Sequence, residues 1–481
     1  MAQRRRRVPA PLAGLLVIAL IQAFAWAVVL PAFEAPDEES HFGAVQRNVE
    51  TRSINWTAIG TEPPWSSFST EEIAARGYSA VSALAFNPAM RPWTSSVDER
   101  RWDGIAARLG DAQRSDGGST AAMANPPLYY LYEALFYAPL EHSDIFTRVF
   151  VMRLGTALFL LVAVLAAWML AGEVFGRRRW LQVLTAGVVA LQPMLGQLSG
   201  IVNPDAMIAA EFAVALWLAA AIVNRGVSRW RLAGALGLIV AGALTHGRAL
   251  PVAVPLVLAV AIRLWPAAVE RGRRARAAAL AGAGLAVVIA LGASLQYTLR
   301  GDVTVDRARQ FVSYVWQFYL PRPSFMTPSP GPKWGVRDVF VDRLWSGFGQ
   351  LDVNIAPGLL PWVGRGTLLL VVAAAIAVVV AVVRGRRAPR VRPLALLVAV
   401  SSVALVWSLH VAAWRDLQLY GDPILTGRYV VPLLPVAGLG LAAIAVSLPR
   451  RVGPALGILV LGAELALALA ALGATVVRFY V

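Results

Sequence analysis

The sequence of 481 residues contains no cysteine. This absence excludes disulfides, thiolate metal sites and cysteine nucleophiles. Histidine is scarce as well, and its four residues stand at positions 41, 142, 246 and 410. The chain also lacks a Walker loop, a dinucleotide-binding fingerprint, an HExxH zinc motif and the nucleophile elbow of serine hydrolases. The motifs of the common nucleotide-binding, zinc-protease and serine-hydrolase classes are therefore missing.

Negative charge is also in short supply. The chain has 28 acidic and 44 basic residues, a net charge of +16 and a pI near 11. In a soluble protein this balance would favour nucleic acid as a partner. Here the arginines stand in short clusters between long apolar runs, which is typical of the positive-inside rule. We therefore expect a lipid bilayer, and no nucleic acid, as the partner of these charges.

Long apolar runs dominate the rest of the chain. Hydrophobic residues make up 58% of the sequence and the mean hydropathy is +0.60, whereas soluble domains have roughly 45–50% apolar residues. We predict a single all-α integral membrane domain over residues 1–481, because several runs exceed the ~18 residues needed for a span. About eleven transmembrane helices are expected, at 12–31, 147–172, 181–200, 205–223, 232–246, 249–264, 278–297, 366–383, 394–413, 429–447 and 454–477.

Two of these predictions have alternatives. The first run follows a basic N-terminus like that of a signal peptide, but its apolar stretch is longer than usual, so we interpret it as a retained helix. The short spans 232–246 and 249–264 are separated by Thr-His-Gly-Arg. They form either two full crossings or a tight hairpin that enters only part of the membrane.

The arginines also predict the orientation. With a cytoplasmic N-terminus, six short inner segments contain 21 arginines, with Glu173 and Glu270 as their only acids. Two long segments, 32–146 and 298–365, then lie outside the bacterial cell membrane. Long loops in compact proteins are usually functional. The active surface is therefore predicted on the extracytoplasmic side, in a large first loop containing short helices and in a second long loop.

The first outer loop begins with the sharpest motif, Ala-Pro-Asp-Glu-Glu-Ser-His-Phe at 35–42. If this stretch is helical, Asp37 and His41 lie four residues apart on one face. A partly desolvated carboxylate beside a histidine is suited to general base catalysis. Glu38 is the second carboxylate of the motif. The alternative is a solvated acidic helix start behind Pro36.

Two further motifs lie at outer ends of spans. Asn125 opens the stretch Asn-Pro-Pro-Leu-Tyr-Tyr, in which Tyr129 belongs to a group of aromatics. Such aromatics form an interfacial belt or grip a lipid-linked substrate. Asn203 and Asp205 stand in an outer turn, where Asp205 either caps the next helix or points into an outer cavity.

Three later turns carry cations or acids. His246 and Arg248 lie at membrane depth, where charge is costly unless it faces a polar cavity or an anion, and arginine suits phosphate recognition. Asp352 ends a Gly- and aromatic-rich stretch that alternatively forms a plain interfacial loop. A Gly-Arg-Tyr sequence opens the tenth span with Arg428 and Tyr429, and offers either a phosphate site or an arginine that reaches lipid headgroups.

The order of these motifs resembles a known family. Pro-Asp-Glu-x-x-His-Phe, Asn-Pro-Pro-Leu-Tyr-Tyr, Asn-x-Asp-Ala, Phe-Gly-x-x-Asp and Gly-Arg-Tyr-x-x-Pro follow one another over residues 12–435. This series is similar to a bacterial family of predicted membrane proteins placed in the GT-C glycosyltransferase superfamily. The resemblance implies a multi-span helical fold, a polyprenyl-phosphate-sugar donor, and an inverting transfer to a cell-envelope glycan or lipid-linked acceptor.

The resemblance also implies roles for individual residues. Asp37 would be the catalytic base, with Glu38 as the alternate, and His41 would orient the carboxylate or contact the donor. Arg248 and Arg428 would bind the donor phosphate, and Asn203 and Asp205 would line the cavity. Asn125 departs from the family, in which a histidine often precedes the two prolines, so a role that needs imidazole there is in doubt.

Other functions remain open from the sequence. A transporter or flippase for lipid-linked saccharides would share the topology, although no internal repeat is visible and the polar motifs cluster at outer helix ends. A non-catalytic assembly protein would not depend on Asp37. No cofactor is certain, and a divalent cation held by Asp37, Glu38 and His41 is a further alternative, although three neighbouring residues are not a coordination set.

Overall fold

The computed structural model describes residues 8–54, 68–79, 102–110, 116–117, 120–176, 178–270, 305–384 and 391–481. Over these ranges the protein is helical. The described residues form no β-strand, and the single isolated bridge joins Phe348 to Val353. The predicted all-α class is confirmed.

The helices are named here in chain order. They are α1 Ala10–Val29, α2 Glu38–Glu50, α3 Thr70–Ser79, α4 Leu128–Tyr137, α5 Ile145–Phe175, α6 Arg179–Leu191, α7 Pro193–Ser199, α8 Asp205–Arg225, α9 Arg229–Thr245, α10 Ala253–Glu270, α11 Val305–Tyr319, α12 Leu360–Arg384, α13 Val391–Tyr420, α14 Leu434–Ser447 and α15 Val452–Tyr480. Short 3₁₀ turns at Gly247–Val252 and Gly427–Leu433 lead into α10 and α14.

Within the described ranges, eight helices are long and apolar enough to cross a membrane, or nine if the bent pair α6–α7 counts as one span. Span 278–297 of the prediction lies outside the described residues. Every other predicted span coincides with a described helix or helix pair, with ends that differ by a few residues. The protein is therefore a multi-pass membrane protein.

One predicted span differs in shape. The run 181–200 is not a straight helix, because α6 and α7 meet at an angle of 60°. Pro193 begins α7 and cannot continue the hydrogen-bond ladder of α6. The Gln192 side chain accepts a hydrogen bond from the Leu195 amide and so caps the new helix. The break is therefore a consequence of one Gln-Pro pair.

The helices differ in how many of their residues are buried, which distinguishes those in the interior of the bundle from those that face lipid. In the membrane-crossing stretch of α8, 89% of the residues are buried, whereas in α12 the share is 6%. Helix α8 packs against α5, α9, α10 and the turn Gly427–Leu433. It is the central helix of the bundle. A polar residue at its first position therefore lies where several helix ends meet.

The segments outside the spans pack on this same end of the bundle, which we call the site end. Helix α2 follows the end of α1 directly and packs against α4, burying Phe33, Phe42, Tyr129 and Tyr137 in one apolar cluster. On the other side, α11 packs against α13 through Phe311, Tyr314 and Trp414. Each of the two long segments thus packs on helices of the bundle through its own apolar cluster.

Candidate functional site

The stretch that joins α1 to α2 has an unusual backbone. Helix α1 ends at Val29, and its cap residue Leu30 stands directly before Pro31, which disfavours helical geometry in the residue before it. Phe33 and Asp37 then adopt left-handed conformations with φ of 66° and 63°. For residues other than glycine this conformation costs roughly 1–2 kcal/mol. Strain of this kind is retained at sites where the surroundings impose it, and here it places Asp37 at the start of α2.

Glu38 is held away from the site in a buried ion pair. Its side chain is fully buried, and its carboxylate accepts hydrogen bonds from Arg153 at 2.7 Å and 2.5 Å. Backbone amides of Phe33 and Val202 donate to the same carboxylate at 2.9 Å and 3.0 Å. With four donors in place, Glu38 is engaged as an anchor. Of the two adjacent carboxylates, Asp37 is the one that takes no part in this anchor.

Arg153 completes this anchor from the other side. Besides Glu38, its guanidinium donates to the carbonyl oxygens of Ala27, Leu30 and Pro31, where α1 ends. A cation is stabilised at a helix C-terminus, where carbonyls lack partners. One arginine of α5 therefore ties together the end of α1 and the start of α2.

The Asp37 side chain does not pair with Arg153, and its partner is a residue from the last part of the chain. Its Oδ2 accepts a hydrogen bond of 2.6 Å from the Arg428 guanidinium. The side chain of Asp37 is 55% exposed, whereas that of Arg428 is 9% exposed. Arg428 Nη1 and Nε are buried and make no hydrogen bond within the described part of the chain. The guanidinium therefore has spare donors beside a solvent-facing carboxylate.

Asp205 joins a second arginine to this pair. Arg248 Nη1 lies 3.0 Å from Asp205 Oδ1, and Arg428 Nε lies 3.7 Å from Asp205 Oδ2. The ring of Tyr429 lies between the guanidiniums, 4.0 Å from that of Arg248 and 5.1 Å from that of Arg428, within the range of cation–π attraction. Two cations and two carboxylates thus meet around one aromatic ring.

The turn before α8 explains why Asp205 is available. Asn203 Oδ1 accepts a hydrogen bond of 2.9 Å from the Asp205 amide, and Asn203 Nδ2 donates to the Pro36 carbonyl at 3.1 Å. Asn203 therefore caps α8 and holds the strained segment near Asp37. Asp205 does not cap its own helix, so its carboxylate is directed to the arginines.

His246 supports Arg248 rather than lining the pocket. Its Nδ1 accepts a hydrogen bond of 3.0 Å from the Arg248 amide, and its Nε2 lies 3.5 Å from the Arg248 guanidinium. This contact fixes the start of the 3₁₀ turn that carries the arginine. His246 thereby orients Arg248 towards Asp205.

A small pocket opens over the paired charges. It encloses about 260 Å³ including its mouth, and its polar side is formed by Asp205, Arg248, Arg428 and Tyr429. The opposite side is apolar, with Ile208 from α8, Leu405 and Leu409 from α13, and Pro432. The lining thus brings two guanidiniums next to apolar side chains of membrane helices.

His41 lies on the other side of Asp37. Its amide donates to the Asp37 carbonyl at 3.1 Å, and its Nδ1 lies 3.0 Å from the Tyr130 hydroxyl. Asn125 Nδ2 donates to that same hydroxyl at 3.0 Å. The departure at Asn125 noted in the sequence thus belongs to a chain of hydrogen bonds that ends on His41.

Burial and neighbouring charges shift the ionisation of both groups. Burial would raise the pKa of Asp37, but the surrounding positive charges, with Arg428 contributing most and Arg248 less, together hold the pKa below its ordinary value. Burial lowers the pKa of His41 to about 4, against the opposing influence of Asp37. At neutral pH, Asp37 is therefore ionised and His41 is neutral.

Of the predicted residues, Asp205, Arg248, Arg428 and Tyr429 line the pocket, and two others are bonded to protein groups elsewhere. Tyr129 is fully buried, and its hydroxyl is paired with that of Thr156 at 2.9 Å, so it packs inside the first long segment. Asp352 forms an ion pair of 2.9 Å with Arg478 near the end of α15. Both residues support neighbouring elements, because their polar atoms are already committed to protein partners.

Three residues that were not predicted as site residues also shape the site. Arg153 stood inside an apolar span, where an arginine is costly and usually functional, so its position alone was a usable signal. Gln350 donates to the carbonyls of Phe33 and Ala35 at 3.1 Å and 2.8 Å. Tyr130 links Asn125 to His41. For Gln350 and Tyr130 no sequence signal pointed to these contacts.

The carboxylates do not assemble into a metal-binding set. Across the described ranges, no group of three or more His, Asp or Glu side chains is placed to hold a metal ion. Of the three residues considered for a cation, Glu38 turns to Arg153 while Asp37 turns to Arg428. The positive charges that the described residues place here are the guanidiniums of Arg248 and Arg428.

Comparisons with known proteins give a family and two distant likenesses. No curated protein sequence matches the chain. The structure of ArnT from Cupriavidus metallidurans bound to undecaprenyl phosphate is similar at 16% identity and a TM-score of 0.42, over 91% of this chain and 60% of that one. The apo oligosaccharyltransferase of Archaeoglobus fulgidus is similar at 12% identity and a TM-score of 0.44, over 97% of this chain and 55% of that one.

This chain therefore spans less than two thirds of the length of either protein. Both TM-scores lie below 0.5, so these likenesses are too distant to assign a fold or an activity. The family described as "Predicted membrane protein (DUF2142)", in contrast, matches residues 20–437. Since this match covers well over half of the sequence, the chain belongs to the DUF2142 family of predicted membrane proteins.

Proposed function

We propose that the protein is an inverting glycosyltransferase of the GT-C type, which moves a sugar from a polyprenyl-phosphate donor to a cell-envelope glycan or a lipid-linked acceptor. The observation that carries this proposal is that Arg248 and Arg428 line one pocket, while Asp37 is paired with Arg428 at 2.6 Å. A carboxylate and paired guanidiniums are the groups that such a transfer requires.

The reaction assigns a role to each charge. Asp37 removes the proton from an acceptor hydroxyl while the hydroxyl oxygen forms a bond to the anomeric carbon. The bond between that carbon and the phosphate oxygen breaks, and its electron pair leaves with the polyprenyl phosphate. Arg428 and Arg248 stabilise the negative charge that develops on this leaving group. Attack opposite the leaving phosphate inverts the anomeric centre.

The pocket also suits the lipid half of the donor. The phosphate would bind at the guanidiniums, and the first isoprenoid units would lie against Ile208, Leu405 and Leu409. Arg428 Nη1 is a buried donor without a hydrogen bond to any described residue. Burying such a donor is costly unless a partner arrives, and a phosphate oxygen satisfies this requirement.

Donor binding would also activate the base. Asp37 is a weak base while Arg428 holds its proton affinity down. A donor phosphate neutralises part of that positive charge, so the proton affinity of Asp37 rises when the donor is present. The inner arginine clusters predict an extracytoplasmic site with a cytoplasmic N-terminus, and Asn203 and Tyr429 would shape its walls.

The experiment measures sugar transfer by the full chain in liposomes that contain polyprenyl-phosphate sugars and an envelope glycan acceptor. Release of polyprenyl phosphate and labelling of the acceptor are followed together. We expect Asp37→Asn to lower the transfer rate by about 10²- to 10⁴-fold, which is the usual contribution of a general base. The matched control is Asp306→Asn, because Asp306 is 83% exposed on α11.

Undiminished transfer by Asp37→Asn would refute the assignment of the base. A wild-type protein that moves the intact donor across the bilayer without releasing polyprenyl phosphate would refute the transferase and establish the flippase instead.

A further inference from the structure

We infer that His41 presents a protonated Nε2 to the site as a hydrogen-bond donor, and that Tyr130 and Asn125 are the positioning residues that fix this tautomer. The inference rests on the proposed function for its role in transfer. Its structural part rests on the hydrogen-bond chain from Asn125 through Tyr130 to His41.

The direction of the chain follows from what each group can donate. The side-chain nitrogen of Asn125 only donates, and it lies 3.0 Å from the Tyr130 oxygen. The phenol has a single hydrogen, and the His41 Nδ1 lies 3.0 Å from the same oxygen. Tyr130 is 2% exposed, so its hydrogen has no ready access to water. The hydroxyl therefore donates to Nδ1.

A proton on Nδ1 would break this arrangement. The Tyr130 oxygen would then receive two donors, and its own hydrogen would be buried without an acceptor among the described residues, which is unfavourable. The rings of His41 and Tyr130 also pack against each other at an interplanar angle of 29°, with centroids 5.9 Å apart. This packing keeps Nδ1 on the hydroxyl.

Nε2 consequently carries the single proton of a neutral ring. Within the described part of the chain it makes no hydrogen bond to protein. The ring stands one helical turn after Asp37 on α2, with the His41 amide bonded to the Asp37 carbonyl at 3.1 Å, and burial keeps its pKa at about 4. His41 is therefore a fixed neutral donor beside the pocket, and it is not a second general base.

The class of ligand follows from this tautomer. A neutral N–H group binds an oxygen acceptor, such as a sugar hydroxyl or a phosphate oxygen, without adding a third cation to the site. Measuring the binding of polyprenyl phosphate distinguishes a phosphate oxygen from a sugar hydroxyl as the acceptor. Weaker binding in His41 variants identifies the phosphate, and unchanged binding with slower transfer identifies a sugar oxygen.

The test is ¹⁵N NMR of the full chain labelled at histidine, which is practical because the sequence has four histidines. The His41 signals are identified by their loss in His41→Gln. We expect an unprotonated Nδ1 and a protonated Nε2 at pH 7. A protonated Nδ1, or a doubly protonated ring, would overturn the inference whether or not the protein transfers sugar.

Asn125→Asp tests the relay itself. An ionised carboxylate only accepts, so it would take the Tyr130 hydrogen and leave the oxygen to accept from His41. We expect the tautomer to change to a protonated Nδ1 with little change in Tm. An unchanged tautomer in a folded variant would show that Asn125 and Tyr130 do not control it.

Activity gives an independent check. Glutamine places an N–H group near the position of Nε2, whereas asparagine places one near Nδ1. We expect His41→Gln to retain at least about tenfold more transfer activity than His41→Asn, a difference of about 1.4 kcal/mol. Equal losses would overturn the proposed role of Nε2, while the NMR result would still establish or refute the tautomer.

Discussion

Asp37 and Arg428 are 391 residues apart in the chain, and their side chains form an ion pair of 2.6 Å. The pair joins the start of α2 to the turn that leads into α14. It also sets the ionisation of the proposed base, since the guanidinium lowers the pKa of Asp37.

The pH dependence of transfer should therefore change when Arg428 is removed. Activity that needs an ionised Asp37 is present above its lowered pKa and is lost as the pH falls through it. In Arg428→Gln the pKa rises, so the acid limb of kcat/KM should move to higher pH. Arg309→Gln is the control, because Arg309 is 74% exposed. An acid limb that stays in place would show that Arg428 does not act on the base.

Substitutions of the two neighbouring carboxylates, Glu38 and Asp37, should differ in their effect on the stability of the protein. Glu38→Gln leaves Arg153 buried without its counter-charge, and the loss of one partner of a buried pair costs about 3–5 kcal/mol. We expect a large fall in Tm for this variant. Asp37→Asn keeps an oxygen that can accept from Arg428, and Asp205 remains as a counter-charge to that guanidinium, so we expect a smaller fall in Tm. Thermal unfolding of both variants in detergent measures this difference, and a similar Tm for the two would contradict the anchoring role of Glu38.

A pair of glycines offers a matched steric test, since each precedes an arginine of the site. A Cβ added at Gly427 would lie 2.4 Å from the Leu344 amide nitrogen, whereas one at Gly247 meets no atom within 4 Å. Gly427→Ala should therefore cost about 1–3 kcal/mol as overpacking and weaken polyprenyl-phosphate binding.

Gly247→Ala is the control for this test. It should bind polyprenyl phosphate like the wild type and unfold at a similar temperature. Equal behaviour of the two variants would show that the close approach at Gly427 does not position Arg428.

Gln350 should control the placement of Asp37 from the second long segment. Its amide holds the carbonyls of Phe33 and Ala35, so Gln350→Ala frees the strained stretch before α2. We expect kcat to fall by about 10- to 100-fold through misplacement of the base, with little change in KM for the donor. Gln317→Ala removes comparable hydrogen bonds on α11 and serves as control. Full kcat in Gln350→Ala would exclude this positioning role.

The spans were predictable because the bilayer imposes a simple requirement on sequence. A crossing helix must be apolar over a length set by the membrane, so runs such as those of α5, α8 and α15 were visible without coordinates. The bend between α6 and α7 was not predicted, although the Gln-Pro pair was a signal for it.

The site was only partly predictable. The motifs identified polar groups at helix ends, namely Asp37, Asp205, Arg248 and Arg428. Charged groups at such positions in a membrane protein are costly and usually functional. The same reasoning placed Tyr129 and Asp352 with them. In the structure, Tyr129 is hydrogen-bonded to Thr156 and Asp352 forms an ion pair with Arg478. Helix-end position alone does not tell which way a side chain turns.

The sequence by itself determined the all-helical membrane class, most of the helix positions and the residues able to carry charge. These follow from local composition and from the hydrophobic thickness of the bilayer. Only the tertiary structure decided that Asp37 pairs with Arg428 while Glu38 pairs with Arg153. The two carboxylates are adjacent in the chain, and their different environments arise from backbone geometry at Asp37 and from helices that lie more than a hundred residues away.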